Sequence, residues 1–107
     1  MAEVDITTKK IGDKVMVNIP GDLDTMEKAD RLKDTLNHLC REQGETEIIL
    51  NLNKTSKINS YGIGKILMFH KRLKEDGGSL YITPPTDAVR EIFEILMLDN
   101  VLKVYRG

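Results

Sequence analysis

The sequence predicts an α/β domain: a mixed sheet of four to five strands with three main helices, in the order β-β-α-β-α-β-α-β. Three observations predict it. The spacing of apolar residues changes along the chain from every second residue to every third and fourth and back, as it does where strands alternate with helices. One short run, Ile48-Ile49-Leu50-Asn51-Leu52, is almost wholly apolar. Turn-forming pairs (Gly12-Asp13, Pro20-Gly21, Gln43-Gly44, Gly77-Gly78, Pro84-Pro85) fall between the periodic stretches.

Residues 3–8 and 14–20 read as the first two strands, since Val15, Val17 and Ile19 alternate with Lys14, Met16 and Asn18. Gly12-Asp13 is a hairpin signal between them. A helix is expected from Asp24, which would cap it with Glu27 completing a capping box. Ala29, Leu32, Leu36, Leu39 and Cys40 make its apolar stripe, and Gln43-Gly44 ends it. Residues 47–52 read as a central strand covered on both faces. A second helix follows at about 61–75, with Ile63, Ile66, Leu67 and Leu73 inside and Lys65, Lys71, Arg72 and Lys74 outside. Residues 79–82 form a fourth strand. Thr86 would cap a third helix whose stripe is Ala88, Val89, Ile92, Phe93 and Leu96. Alternation over residues 101–105 predicts a last short strand.

A length of 107 residues suits a single domain spanning 1–107. Sixteen Lys plus Arg against seventeen Asp plus Glu leave a formal charge of −1, which argues against a nucleic-acid partner. One cysteine, Cys40, forms no internal disulfide, and no apolar stretch is long enough to insert in a membrane. The first residues lack a signal-peptide pattern. The expected protein is cytoplasmic and monomeric on its own.

Chemistry for catalysis or cofactors is not legible. His38 and His70 stand in no metal-ligand spacing, so no metal site is expected. No Gly-x-Ser-x-Gly elbow presents a nucleophile. Gly62-Ile63-Gly64-Lys65 fails the phosphate-loop pattern at Asn59 and Ile66, and it fails the dinucleotide fingerprint at Leu67. Cys40 is in phase with an apolar stripe and reads as a small buried hydrophobe. Asp22 and Asp24 read as a solvated turn residue and a cap rather than an acid/base pair. The chain is expected to need no cofactor and not to be an enzyme.

The segment Asn59-Ser60-Tyr61-Gly62 stands apart: a polar strand exit running into a glycine-containing first helical turn. Read from the residues alone, Ser60 is an N-cap worth about 0.5–2 kcal/mol. The same geometry would receive a phosphate on Ser60, at the positive end of the helix and facing free N–H groups. Gly62, lacking a Cβ, would let another protein's backbone approach.

At these residues the chain resembles the STAS-domain family, and within it the bacterial anti-sigma factor antagonists. Ile48 to Leu52 stands where the family has an apolar strand, and Asn59-Ser60-Tyr61-Gly62-Ile63-Gly64 resembles its Asp-Ser-Ser/Thr/Ala-Gly-Leu/Ile-Gly motif. Gly21-Asp22-Leu23-Asp24 and Gly77-Gly78-Ser79-Leu80 match family turns, and Ala88 to Glu94 followed by Leu98 is similar to its third helix.

The resemblance implies the STAS fold and a switch. The unphosphorylated protein would bind an anti-sigma factor that is also an ATP-dependent serine kinase. Phosphorylation at Ser60 would end the binding, and a PP2C-type phosphatase would restore it. Asp22, Asp24, Asn59, Ser60, Tyr61, Gly62 and Gly64 would form the partner-binding site. Two positions depart from the motif: Asn59 replaces an aspartate and Tyr61 a small residue. They leave open a second reading, a STAS interaction module without a phosphoryl switch in a signalling or lipid-transport complex. A small nucleotide- or lipid-binding domain, or even an enzyme, is a third, supported only by the glycine-containing helix start.

Overall fold

The computed structural model describes residues 5–107. Its strands are β1 (Thr7–Ile11), β2 (Lys14–Asn18), β3 (Glu47–Asn51), β4 (Ser79–Ile82) and β5 (Lys103–Val104). Its helices are α1 (Met26–Asn37), extended by a π turn at His38–Glu42, then α2 (Ser60–Glu75) and α3 (Asp87–Ile95), the last followed by a 3-10 turn at Leu98–Asn100. The α/β order and the mixed sheet are as expected.

The strands lie in sequence order, with β1 antiparallel to β2 and every later pair parallel. Three successive crossovers of the same right hand, moving in one direction across the sheet, put all three helices on one face. The register agrees. Val15, Ile48 and Leu80 form one cross-strand row and Val17, Leu50 and Ile82 another. Both rows join Leu32, Leu36, Ile66, Phe69, Leu73, Val89 and Phe93 in a single core.

As expected, β3 is covered on both faces, but helices cover only one of them. Ile49 points away from the helices, in a row with Met16 and Tyr81. It is nonetheless fully buried. Long side chains of the sheet itself close over that row: the ammonium groups of Lys14 and Lys103 stand 5.4 and 5.8 Å from the Tyr81 ring centre. Lysine stems cover apolar surface while keeping their charge in water.

Other differences are local. The first strand runs over 7–11 rather than 3–8, and residues 3 and 4 of that expectation lie outside the described residues. The second strand ends at Asn18. Thr25, not Asp24, caps α1: its hydroxyl accepts the Lys28 N–H at 3.2 Å, while the Asp24 carboxylate is drawn to the Lys28 ammonium at 3.1 Å. Glu27 pairs with Arg31 instead of closing a capping box. The inner face of α2 includes Phe69, buried at its centre, whereas Ile63 and Leu67 are only half-buried. Arg72 is not on the outer face; it donates to Asn37 Oδ1 of α1 at 2.8 Å. On α3, Val89 and Phe93 are buried but Ala88 and Leu96 are exposed. The last strand holds only Lys103 and Val104, with Leu102 buried just before it. Cys40 is half-buried, and burial pushes its thiol pKa up.

Candidate functional site

Parallel strands send their carboxyl ends to one end of the sheet, and the three loops that leave β2, β3 and β4 meet there. Threonine hydroxyls tie them together. Thr55, fully buried, donates to the Gly21 carbonyl at 2.8 Å, and Thr86 donates to the Thr55 carbonyl at 2.7 Å. Thr83 Oγ1 accepts the Leu52 N–H at 2.9 Å. Thr86 heads α3 as foreseen, but its hydroxyl makes no cap bond because it is spent on Thr55.

A second seam places the start of α2. Leu23 and Ile58 form an isolated parallel bridge, with Leu23 N–H donating to Lys57 O and Asn59 N–H to Leu23 O. Asp22 locks the same seam: its Oδ1 accepts the amides of Ser56 and Lys57 at 2.8 and 3.0 Å. Those two bonds hold its carboxyl below its ordinary pKa. Asp22 is thus a clamp between loops rather than a residue of a solvated turn.

Asn59, not Ser60, is the N-cap of α2. Its backbone is extended and its Oδ1 accepts the Tyr61 N–H at 3.0 Å. Capping preference does not separate Asn from Ser. The choice comes from the other end of the amide, since Asn59 Nδ2 donates to the Asp24 carbonyl at 2.6 Å. An aspartate has no proton for that contact. Asn59 therefore ties the start of α2 to the start of α1.

Ser60 becomes the first helical residue. It is exposed, and its hydroxyl has no hydrogen bond among the described residues. With Tyr61 N–H taken by Asn59 and Ile63 N–H by the Asn59 carbonyl, the amides of Ser60 and Gly62 are the donors of the first turn left open among the described residues. A Ser60 phosphate would sit against the helix N-terminus, as expected. Tyr61 is 47% exposed, beside the serine.

The two glycines of the motif serve different ends. Gly62 is buried, and a Cβ there would come within 2.9 Å of the Leu23 carbonyl oxygen and 3.1 Å of Ile58 Cγ1. Its missing side chain accommodates this chain's own seam. That corrects the expectation that Gly62 offers an approach for another protein. Gly64 is exposed, and a Cβ there would meet nothing within 4 Å. The structure thus gathers Asp22, Asp24, Asn59, Ser60, Tyr61 and Gly62 at one end of the sheet, with Gly64 one turn along α2. Sequence reasoning missed Thr55 and Thr83, because a buried threonine has no periodic signature.

A family model described as STAS domain matches residues 5–107. The chain belongs to the STAS domain family. This STAS domain is 30% identical over 91 residues to the anti-sigma-B factor antagonist of Staphylococcus aureus, covering 85% of this chain and 82% of that one. Its fold is similar to the crystal structure of a Thermotoga maritima protein named for anti-sigma factor antagonism, with a TM-score of 0.84, 24% identity, and 95% and 86% of the two chains covered. It is also similar to the Bacillus cell fate determinant SpoIIAA in its phosphorylated form, with a TM-score of 0.74, 18% identity, and 95% and 92% of the chains covered. No described helix is long and apolar enough to cross a membrane.

Proposed function

We propose that this STAS domain is an anti-sigma factor antagonist switched at Ser60. Unphosphorylated, it binds an anti-sigma factor that is also a serine kinase, and so frees a sigma factor for transcription. In the kinase step, Ser60 Oγ bonds to the γ-phosphorus of ATP as the bond to the β–γ bridging oxygen breaks. ADP leaves, and the hydroxyl proton passes to a base of the kinase. A PP2C-type phosphatase reverses the state: water replaces Ser60 Oγ on phosphorus and inorganic phosphate leaves. This protein is ligand and substrate, not catalyst.

The observation that carries the reading is the placement of Ser60, an exposed hydroxyl with no hydrogen bond among the described residues, at the first position of α2 beside open amide donors. A phosphate adds about −1.5 to −2 charges there. A standard interface buries about 800 Å² per partner, and a charge desolvated or opposed within it costs several kcal/mol. At about 1.4 kcal/mol per tenfold, one phosphate weakens binding by hundreds-fold. The fold need not change.

The test uses the anti-sigma factor kinases of the same genome, each purified and mixed with ATP and this protein. Intact mass and peptide analysis should show one phosphate at Ser60, and Ser60→Asp should weaken binding at least tenfold relative to Ser60→Ala. No mass shift from a kinase proven active on another substrate sinks the switch. The exposed Tyr61 ring beside Ser60 favours one other reading, a constitutive interaction module. Ser60→Asp binding as tightly as wild type would select it.

A further inference from the structure

The solvent-facing stripe of α2 carries two oddities that the fold does not explain. One is Gly64. A glycine inside a helix costs roughly 0.5–1 kcal/mol relative to alanine, and here the space for a side chain is open. Nothing among the described residues requires the glycine, in contrast to Gly62. The second is the pair of large apolar side chains on either side of it along the same face. Tyr61, one turn before, is 47% exposed, and Met68, one turn after, is 43% exposed. Ser60, Tyr61, Gly64, Met68 and Lys71 fall on one face at helical spacing. The result is a bare stretch of helix backbone between two apolar posts.

Charge says what fits it. From Ser60 to Lys74 the helix contains Lys65, Lys71, Arg72 and Lys74 and no carboxylate; its first acidic residue is Glu75. Lys57 precedes it by one turn. Lys71 and Lys74 pair with no carboxylate among the described residues, Lys57 feels the Asp22 carboxylate without a close ion pair, and Lys65 reaches Asp30 of α1 only at 4.0 Å. Arg72 is turned inward to Asn37.

We infer that this stripe is the seat of the anti-sigma partner, and that the partner presents an apolar segment with an acidic rim that lies on Gly64 between Tyr61 and Met68. The inference rests on the proposed function and specifies the chemistry of its partner. Close backbone approach gives Gly64 its role. Tyr61 and Met68 supply the desolvated anchors, and the lysines steer an acidic surface to them. It also explains why a phosphate on Ser60 releases the partner. The dianion stands at the head of the stripe, where it meets the acidic rim as like charge.

Two measurements on the full chain test this. Thermal unfolding should show Gly64→Ala more stable than wild type by about 4 °C, and Gly62→Ala less stable. Binding to the anti-sigma factor kinase that captures wild type should fall more than tenfold in Gly64→Gln and about tenfold in Met68→Ala. In Lys71→Glu it should weaken with a smaller dependence on salt. A lower melting temperature for Gly64→Ala overturns the inference, because the glycine would then serve the fold. So does wild-type affinity in Gly64→Gln where Ser60→Asp still releases the partner, and in that case the switch itself stands. If no anti-sigma factor binds wild type, both readings fall together. A wild-type dimer in sedimentation that Gly64→Gln breaks assigns the stripe to a second copy of the chain and overturns the stated partner.

Discussion

At the scale of a residue, Asn59 shows how one side chain can serve two helices. Its oxygen caps α2 and its amide nitrogen donates to the Asp24 carbonyl at the head of α1. A carboxylate can do only the first, and it would face a carbonyl oxygen at the second. Asn59→Asp is therefore expected to lower stability by about 1 kcal/mol, the cost of breaking this part-buried hydrogen bond and setting a carboxylate against a carbonyl oxygen. The midpoint of urea unfolding measures it, and a variant as stable as wild type would show that the donor is not needed. The polar helix start was legible in the motif. Which residue caps it was not, since Asn and Ser cap about equally well and the deciding atom lies 35 residues away in sequence.

At the scale of elements, the loops leaving β2 and β3 behave as one unit because Asp22 accepts two amides from Ser56 and Lys57. These bonds favour the ionised carboxylate and depress its pKa from 3.8. The folded chain then binds fewer protons than the unfolded one around that value. The clamp's contribution is present above the unfolded pKa and is lost as pH falls through the folded pKa, in a window below about pH 4. Melting temperatures of wild type and Asp22→Asn should differ by a constant gap from about pH 7 to 5, and the gap should narrow below about pH 4. A gap that holds flat to about pH 2 would rule the clamp out. Helices α1 and α2 and strands β3 and β4 were legible because their apolar spacing is strong and local. The cap of α1 was misread because Lys28 recruits the Asp24 carboxylate and leaves the cap to Thr25. The third helix was read one turn too apolar. Ala88 and Leu96 lie at its two ends, where the stripe has already turned from the core.

At the scale of the whole molecule, a sheet covered by helices on one face has one core, and Phe69 is its largest fully buried side chain. Phe69→Ala is expected to cost about 3–5 kcal/mol, a large share of the roughly 5–15 kcal/mol that holds a domain folded. Chemical denaturation should show the midpoint fall by that share without loss of cooperativity. A loss below about 1 kcal/mol would mean that the core closes over the gap.

The sequence by itself determined the α/β class, the order of the elements and the segment around Ser60, because period and turn chemistry are carried by neighbouring residues. Only the tertiary structure decided that the helices share one face of the sheet, that Asn59 caps α2, and that Gly62 serves the fold while Gly64 lies bare. Each of these depends on which atoms of distant segments meet, and a glycine or an asparagine looks the same in sequence whether its neighbour in space is Leu23 or water.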